Sequence, residues 1–249
     1  MQRYFINEIT EEQKAMIMGD DFHHIVRVMR MEVGDHFICC DSKGKQAQCE
    51  ITEITNDMIL ASVVEWIETQ TELPITVSIA SGLPKGDKLE YVIQKGTELG
   101  ANEFVPFIAA RSIVKWDEKK GAKKVERWNK IAKEAAEQSH RSVVPVIPSP
   151  KRFNELISYS DGFDYKVIAY EEEAKRGEKS ALASIFNKLT VGDSLLVVIG
   201  PEGGLTEKEV SELQDHGFVS CSFGPRILRT ETAPLYVLSA VSYHFELAR

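Results

Sequence analysis

The chain has 249 residues, 43% of them hydrophobic and 27% charged, the proportions of an ordinary globular protein with room for one large domain or two modest ones. No apolar run approaches the ~20 residues needed to span a bilayer, and the opening Met1-Gln2-Arg3-Tyr4-Phe5-Ile6-Asn7 lacks the apolar centre of a signal peptide, so a cytoplasmic protein with no membrane partner is expected. The net charge of −8 argues weakly against a polyanionic partner, yet it is unevenly spread: −8 over residues 1–73, +6 over 85–152 and −6 over 153–249. A basic middle segment can be the footprint of a polyanion. On charge alone, Lys119-Lys120 and Lys123-Lys124 read better as a solvated helix face.

In chain order, residues 1–73 read as short strands. Asp35–Asp41, Gln46–Ile54 and Met58–Val64 are strand-like runs separated by the turn signals Asp41-Ser42-Lys43-Gly44-Lys45 and Asn56-Asp57; closely spaced strands of this kind predict a small barrel or sandwich. Asp20–Met29 predicts a short helix. The polar Thr69-Gln70-Thr71-Glu72-Leu73-Pro74 is the expected linker. From Pro74 the rhythm changes to strand then helix. Ile75–Ala80 predicts a strand. Asp87–Leu99 predicts a helix with Leu89, Val92, Ile93 and Gly96 on one face, ended by Gly100. Glu103–Ile108 is a further strand and Val125–Ser139 a helix with Trp128, Ile131, Ala132, Ala135 and Ala136 inward. Val143–Ile147, Tyr165–Tyr170, Leu195–Ile199 and Phe218–Phe223 are strand-like. Thr206-Glu207-Lys208-Glu209 is a capping box, with Gly217 at that helix's end. Pro234–Leu247 predicts a last, largely apolar helix. Alternating strands and helices of this type form a parallel sheet covered on both faces, an α/β fold.

Chemistry-bearing motifs are few. Cys39, Cys40, Cys49 and Cys221 form no CxxC pair and read as buried thiols. His23-His24 has no HExxH context, so no metal site is expected. Two stretches stand out: Ile199-Gly200-Pro201-Glu202-Gly203-Gly204, and Gly224-Pro225-Arg226-Ile227-Leu228-Arg229-Thr230-Glu231-Thr232-Ala233-Pro234. Each follows an apolar run and so lies at the carboxyl end of a strand, where open α/β sheets bind ligands. Neither matches a P-loop or a GxGxxG fingerprint, and Glu202 would repel a phosphate. What remains is a turn-built cleft for a ligand with polar edges and little negative charge. Thr230 or Thr232 can cap the last helix, with Glu231 favourable at its positive end. That leaves Arg229 without a structural role, able to pair with Glu202 or Glu231 or to reach a phosphate.

These two stretches resemble the signature loops of the SPOUT superfamily of S-adenosylmethionine-dependent RNA methyltransferases, and in particular the RsmE family of ribosomal RNA uracil-N3 methyltransferases. His23-His24-Ile25-Val26-Arg27-Val28-Met29-Arg30 is similar to that family's HHxxRVLR segment. Lys85-Gly86-Asp87-Lys88 with Lys95-Gly96-Thr97-Glu98-Leu99-Gly100 is similar to its KxTELG stretch, and Glu137-Gln138-Ser139-His140-Arg141 to its EQSGR element, with His140 in place of glycine.

The resemblance implies an N-terminal PUA-like β-barrel for RNA docking (1–73) and a SPOUT methyltransferase domain with a trefoil knot and a mostly parallel sheet (74–249). It implies a homodimer acting on 16S ribosomal RNA, within the small subunit. S-adenosyl-L-methionine would lie on Ile199, Gly200, Pro201, Glu202, Gly203, Gly204, Phe223, Gly224, Ile227, Leu228, Thr232 and Ala233. Arg229 and Glu202 are the catalytic candidates: Arg229 beside the acceptor base or its phosphate, Glu202 facing the sulfonium or anchoring Arg229. Arg27, Arg30, Lys85, Lys95, Glu98, Gln138 and Arg141 would contact RNA, although Lys95 and Glu98 also fit an exposed i, i+3 pair. Two other classes are compatible with the residues alone: a non-catalytic RNA-binding protein, and a nucleotide-using enzyme with an unusual phosphate loop.

Overall fold

The computed structural model describes residues 1–68, 71–114, 116–170 and 181–248. The chain divides into two compact units, Met1–Glu72 with Ala136–Val144, and Leu73–Ala135 with Pro145–Arg249.

The first unit is a five-stranded sheet of β1 (Arg3–Phe5), β2 (Lys14–Met18), β3 (His36–Cys40), β4 (Gln46–Ile54) and β5 (Met58–Ile67), in the order β1-β3-β4-β5-β2. β1 runs parallel to β3 and the other pairs are antiparallel. Period-two alternation explains the burial: in β2, Ala15 and Ile17 point inward while Lys14, Met16 and Met18 point outward. Two register shifts between β4 and β5, at Gln48/Cys49 and Ile51/Glu53, bend the sheet around a core of Tyr4, Ile17, Phe22, Ile25, Phe37 and Ile51. All four cysteines are buried free thiols. The helix expected at 20–29 changes pitch midway: α1 (Gly19–His23) passes into a π-helical turn, His24–Met29, closed by Arg30 in the left-handed conformation.

Residues 136–144 join this unit through a buried ionic cluster. The Glu72 carboxylate accepts from the Arg141 guanidinium and from the Ser142 backbone N–H (2.9 Å), and Arg3 Nη1 donates to the Arg141 carbonyl (3.0 Å). The expected linker is therefore anchored at Glu72; its Thr69 and Gln70 lie outside the described residues. His140, where the family resemblance has glycine, keeps a left-handed φ of 59° and accepts from Thr71 Oγ1 through its carbonyl (2.9 Å).

The second unit is a wholly parallel six-stranded sheet of β6 (Thr76–Gly82), β7 (Glu103–Ile108), β8 (Lys151–Arg152), β9 (Tyr165–Ala169), β10 (Ser194–Ile199) and β11 (Val219–Cys221), ordered β11-β9-β10-β6-β7-β8. Its central strands are apolar throughout; Leu195 to Val198 are fully buried. The helices are α2 (Lys88–Glu98), α3 (Glu118–Gln138), α4 (Phe153–Tyr159), α5 (Ala181–Phe186), α6 (Glu207–Asp215) and α7 (Ala233–Ser242), the last continuing as a π-helical turn to Leu247. Gly96 on the buried face of α2 is a packing requirement: a Cβ there would sit 2.6 Å from the Phe104 ring.

The strand expected at 143–147 does not form. Only Val146 bridges to Glu103, because Pro145, Pro148 and Pro150 supply no ladder donors. No helix is long and apolar enough to cross a membrane among the described residues.

Candidate active site

Because every strand of the second sheet runs the same way, the loops after β9, β10 and β11 emerge on one edge. There they enclose a cavity of about 810 Å³, within the roughly 300–1,000 Å³ of small-molecule sites. Its walls are the turn 200–205 after β10 and the turn 222–231 after β11, with the end of β9 at Ala169 and Tyr170 between them.

The two turns are joined directly: Thr230 Oγ1 donates to the Gly200 carbonyl (2.7 Å). Thr230 thus ties the turns together and is not a cap for α7. Thr232 occupies the cap position of α7 without a side-chain cap bond, and Pro234 in the first turn needs no donor. The box expected at Thr206–Glu209 is present, with Glu209 N–H donating to Thr206 Oγ1 (3.2 Å) and Thr206 N–H to Glu209 Oε2 (2.8 Å).

The 200–205 turn is gripped from both sides. Arg111, just beyond β7, donates from Nη1 to the carbonyls of Gly203 (3.0 Å) and Leu205 (3.3 Å), and the neighbouring Ala110 N–H donates to Glu209 Oε1 (2.8 Å). Opposite, Glu202 Oε1 accepts from the Lys85 backbone N–H (3.1 Å) and from Lys88 Nζ (2.9 Å). The glycines serve this compaction. A Cβ on Gly200 would lie 2.9 Å from the backbone of Gly204 and Leu205, and one on Gly203 would press on the Arg111 Cβ at 3.1 Å. Gly82, at the end of β6, has Pro201 so close that a Cβ would lie 2.5 Å from its ring.

Lys88 is the hub of the charged rim. Its ammonium lies 2.9 Å from Glu202 Oε1 and 3.4 Å from Glu231 Oε2, and Glu231 Oε1 stands 4.0 Å from Arg229 Nη1. Partial burial opposes ionisation of Glu202, but the Lys88 ammonium and backbone N–H groups outweigh it and hold the carboxyl below the usual range. The hydrogen bond to Glu202 lifts Lys88 above the usual lysine range, against desolvation. Glu202 is therefore anchored on Lys88 rather than on Arg229. The Arg229 side chain is 83% exposed at the mouth.

Of the residues expected at the cofactor, Ile199 to Gly204, Phe223, Ile227, Leu228 and Ala233 line the cavity. Ile199, Pro201, Phe223 and Ala233 are buried, and the Ile227 side chain projects outward. Gly224 flanks it in the left-handed conformation and Thr232 lies exposed beside Ala233. Phe223 stacks on Tyr236 of α7.

The residues expected on RNA fall in both units. Arg27 and Arg30 are exposed on the α1 segment, Gln138 is exposed at the end of α3, and Lys85 is exposed near Glu202. Lys95 and Glu98 form the i, i+3 pair on α2 (2.7 Å). Arg141 departs from expectation. Its side chain is 2% exposed and its guanidinium is held by Glu72, so its charge serves the interior of the first unit and is not offered to solvent. Sequence reasoning did not single out Arg111, Thr230 or Lys88 as site residues. Lys88 belongs to the Lys85–Lys88 segment and Thr230 to the 224–234 stretch, and Arg111 follows a parallel strand's carboxyl end, the position where such sheets bind ligands.

A parallel α/β unit with a turn-walled cleft, accompanied by a small β-sheet unit, is the arrangement of an RNA methyltransferase with a PUA domain. The family descriptions that match are an RNA methyltransferase domain over residues 71–242 and an RNA methyltransferase PUA domain over 17–64. The chain is 56% identical to ribosomal RNA small subunit methyltransferase E of Bacillus subtilis, covering 100% of this chain and 99% of that one. It is 32% identical to the Synechocystis protein of the same name, over 93% and 73%. The crystal structure of the Neisseria gonorrhoeae enzyme of that name, bound to S-adenosyl methionine, superposes with a TM-score of 0.82 at 27% identity, covering 97% of each chain. The chain belongs to the ribosomal RNA small subunit methyltransferase E family.

Proposed function

We propose that this protein transfers the methyl group of S-adenosyl-L-methionine to N3 of a uridine in 16S ribosomal RNA of the small subunit. The observation that carries the reading is the junction of two turns: Thr230 on the Gly200 carbonyl closes a cavity whose walls are main chain and whose mouth bears Arg229. The residues present fit the donor. Glycine-lined walls admit flat, polar-edged groups, Ile199, Phe223, Leu228 and Ala233 supply apolar contact, and Glu231 Oε2 is a buried carboxylate oxygen beside the cavity that makes no hydrogen bond and has the Lys88 ammonium 3.4 Å away.

The donor, when bound, supplies an already electrophilic methyl group, so the protein's task is to position the reactants and exclude water. Ile199, Phe223 and Ala233 exclude solvent, and the 200–205 turn orients the ligand against its backbone. Arg229, a guanidinium exposed at the mouth, stabilises the negative charge that develops on the uracil oxygens as N3 loses its proton, or holds the adjoining phosphate. Glu202 is a poor base, since Lys88 keeps it ionised and below the usual carboxyl range. Removal of the N3 proton therefore falls to water or to a group other than Glu202.

The first unit docks RNA in this reading, with Arg27 and Arg30 on its exposed helical segment, and the second carries the transfer. A homodimer fits the outward face of the last helical segment, where Tyr236, Tyr243 and Leu247 are 40%, 64% and 73% exposed along one side. In this reading the protein works in the cytoplasm, where its ribosomal RNA substrate is made.

Calorimetric titration with S-adenosyl-L-methionine, followed by mass spectrometry of 16S ribosomal RNA from cells lacking the protein, tests the reading. A heat of binding together with loss of one N3-methyluridine is expected. Absence of donor binding, as for a purely RNA-binding protein, would end it.

A further inference from the structure

Three charged groups meet at the mouth of the cavity in an order that has a functional consequence. Glu231 stands between two cations: Lys88 Nζ at 3.4 Å from its Oε2, and Arg229 Nη1 at 4.0 Å from its Oε1. The Glu231 side chain is 19% exposed and that of Lys88 34%, whereas that of Arg229 is 83% exposed. The shorter, more enclosed contact is the one to lysine. Lys88 is also fixed from the other side by Glu202, whose Oε1 is 2.9 Å away and is held in turn by the Lys85 N–H. The ammonium is thus immobilised between two carboxylates, one from each turn.

We infer that Lys88 is a positioning residue that occupies Glu231 and so leaves Arg229 extended toward the acceptor RNA. The inference rests on the proposed reading of the cavity as the methyl-transfer site. Two cations compete for one partly buried carboxylate. An arginine fork is the better partner for a carboxylate when nothing opposes it. With Lys88 present, Glu231 is already neutralised and the added attraction for Arg229 is small. Without Lys88, Glu202 and Glu231 face each other with no counter-charge between them, and the nearest available cation is Arg229. It would fold back onto Glu231 and be withdrawn from the mouth. The donor pocket would lose the Lys88–Glu202 contact but keep its holds by Arg111, by Thr230 and by the Lys85 N–H on Glu202.

The experiment compares the wild-type chain with Lys88→Met, Lys88→Arg and the double variant Lys88→Met with Glu231→Gln. Donor affinity is measured by calorimetry and methyl transfer to ribosomal RNA with labelled donor. Wild type that neither binds donor nor transfers methyl would overturn the site assignment itself. With wild type active, Lys88→Met is expected to lose about 100-fold in transfer while donor affinity stays within about tenfold. Lys88→Arg, which restores the counter-charge, is expected to recover transfer to within about tenfold of wild type. The double variant, in which Arg229 has no carboxylate to fold onto, is expected to regain at least about tenfold over Lys88→Met. A merely structural lysine would not be rescued by neutralising its partner. Wild-type transfer by Lys88→Met, or no recovery in the double variant, would overturn the inference. Circular dichroism checks folding, and should Lys88→Met not fold, Lys88→Gln carries the same comparison.

Discussion

The two turns that wall the cavity are built in opposite ways. The 200–205 turn has its carbonyls on Arg111 and Thr230 and its one carboxylate on Lys88 and the Lys85 N–H, and two of its glycines are packed so closely that a side chain would collide with a neighbour. The 224–232 turn presents Pro225, Arg226, Ile227, Arg229 and Thr232 to solvent, and is tied back through Thr230 and the Lys88–Glu231 contact. One is a rigid wall and the other a tethered arm. A wall suits a small ligand that is the same in every turnover, and an arm suits a large substrate that must arrive and leave.

The contrast can be broken at its largest expected effect by Arg229→Ala. Methyl transfer should fall by about 10²–10³-fold, as when a charge-stabilising donor is removed, while donor affinity measured by calorimetry stays near wild type. Equal loss in both would make Arg229 part of the wall. Gly200→Val tests the wall itself. Its Cβ would meet the Gly204–Leu205 backbone at 2.9 Å, so donor binding should vanish and thermal stability fall by about 1–3 kcal/mol. A folded variant of normal affinity would show that the turn yields.

Thr230→Val cuts the junction between wall and arm. Loss of its hydrogen bond to Gly200 should weaken donor binding by about tenfold, or about 1.4 kcal/mol, measured by the same titration. Titrating pH sharpens the comparison further. Glu202 has a lowered folded pKa, so its contribution is present above its ordinary value of 4.5 and is lost as pH falls through the lower folded one. Lys88 has a raised folded pKa, so its contribution is present below 10.5 and is lost as pH climbs through the higher folded value. Between about pH 5 and 10 donor affinity should therefore be flat. A step near neutrality would mean that a group outside this network controls the wall.

The smallest effect lies in the first unit. His140 holds a left-handed φ of 59° that glycine adopts without strain, so His140→Gly should raise stability by up to about 1–2 kcal/mol, seen as a higher Tm, with transfer unchanged.

What was legible in the sequence follows from these same features. The parallel sheet could be read because Leu195 to Ile199 and Phe104 to Phe107 are buried on both faces and therefore apolar without alternation. The capping box at Thr206 is local chemistry and was readable as such. β1 and β2 were not anticipated, because Arg3–Phe5 is three residues long and β2 mixes Lys14 with exposed methionines. The site's glycines were visible, but the reason for them was not. Gly203 reads as a place for ligand approach, yet Arg111 is what a side chain there would press against. The hub role of Lys88 depends on bringing residues 88, 202 and 231 together, and no local pattern encodes a junction of that span. Arg141 was the reverse case: a basic residue in an RNA-like motif that tertiary pairing with Glu72 draws inside.

That Glu72–Arg141 stitch has a consequence for how the molecule is made. During synthesis the amino-terminal strands emerge first, but the segment 136–144 that completes their unit follows more than sixty residues later. Until then Glu72 is a carboxylate with no guanidinium to receive, and Arg3 has its Cys40 and Gln46 partners but not the Arg141 carbonyl. The first-made part of the chain is thus finished only after most of helix α3 has left the ribosome, so loop closure over that distance delays it behind its own local contacts. The amino-terminal strands wait for a segment made well after them, although their unit still closes before the second one is fully made.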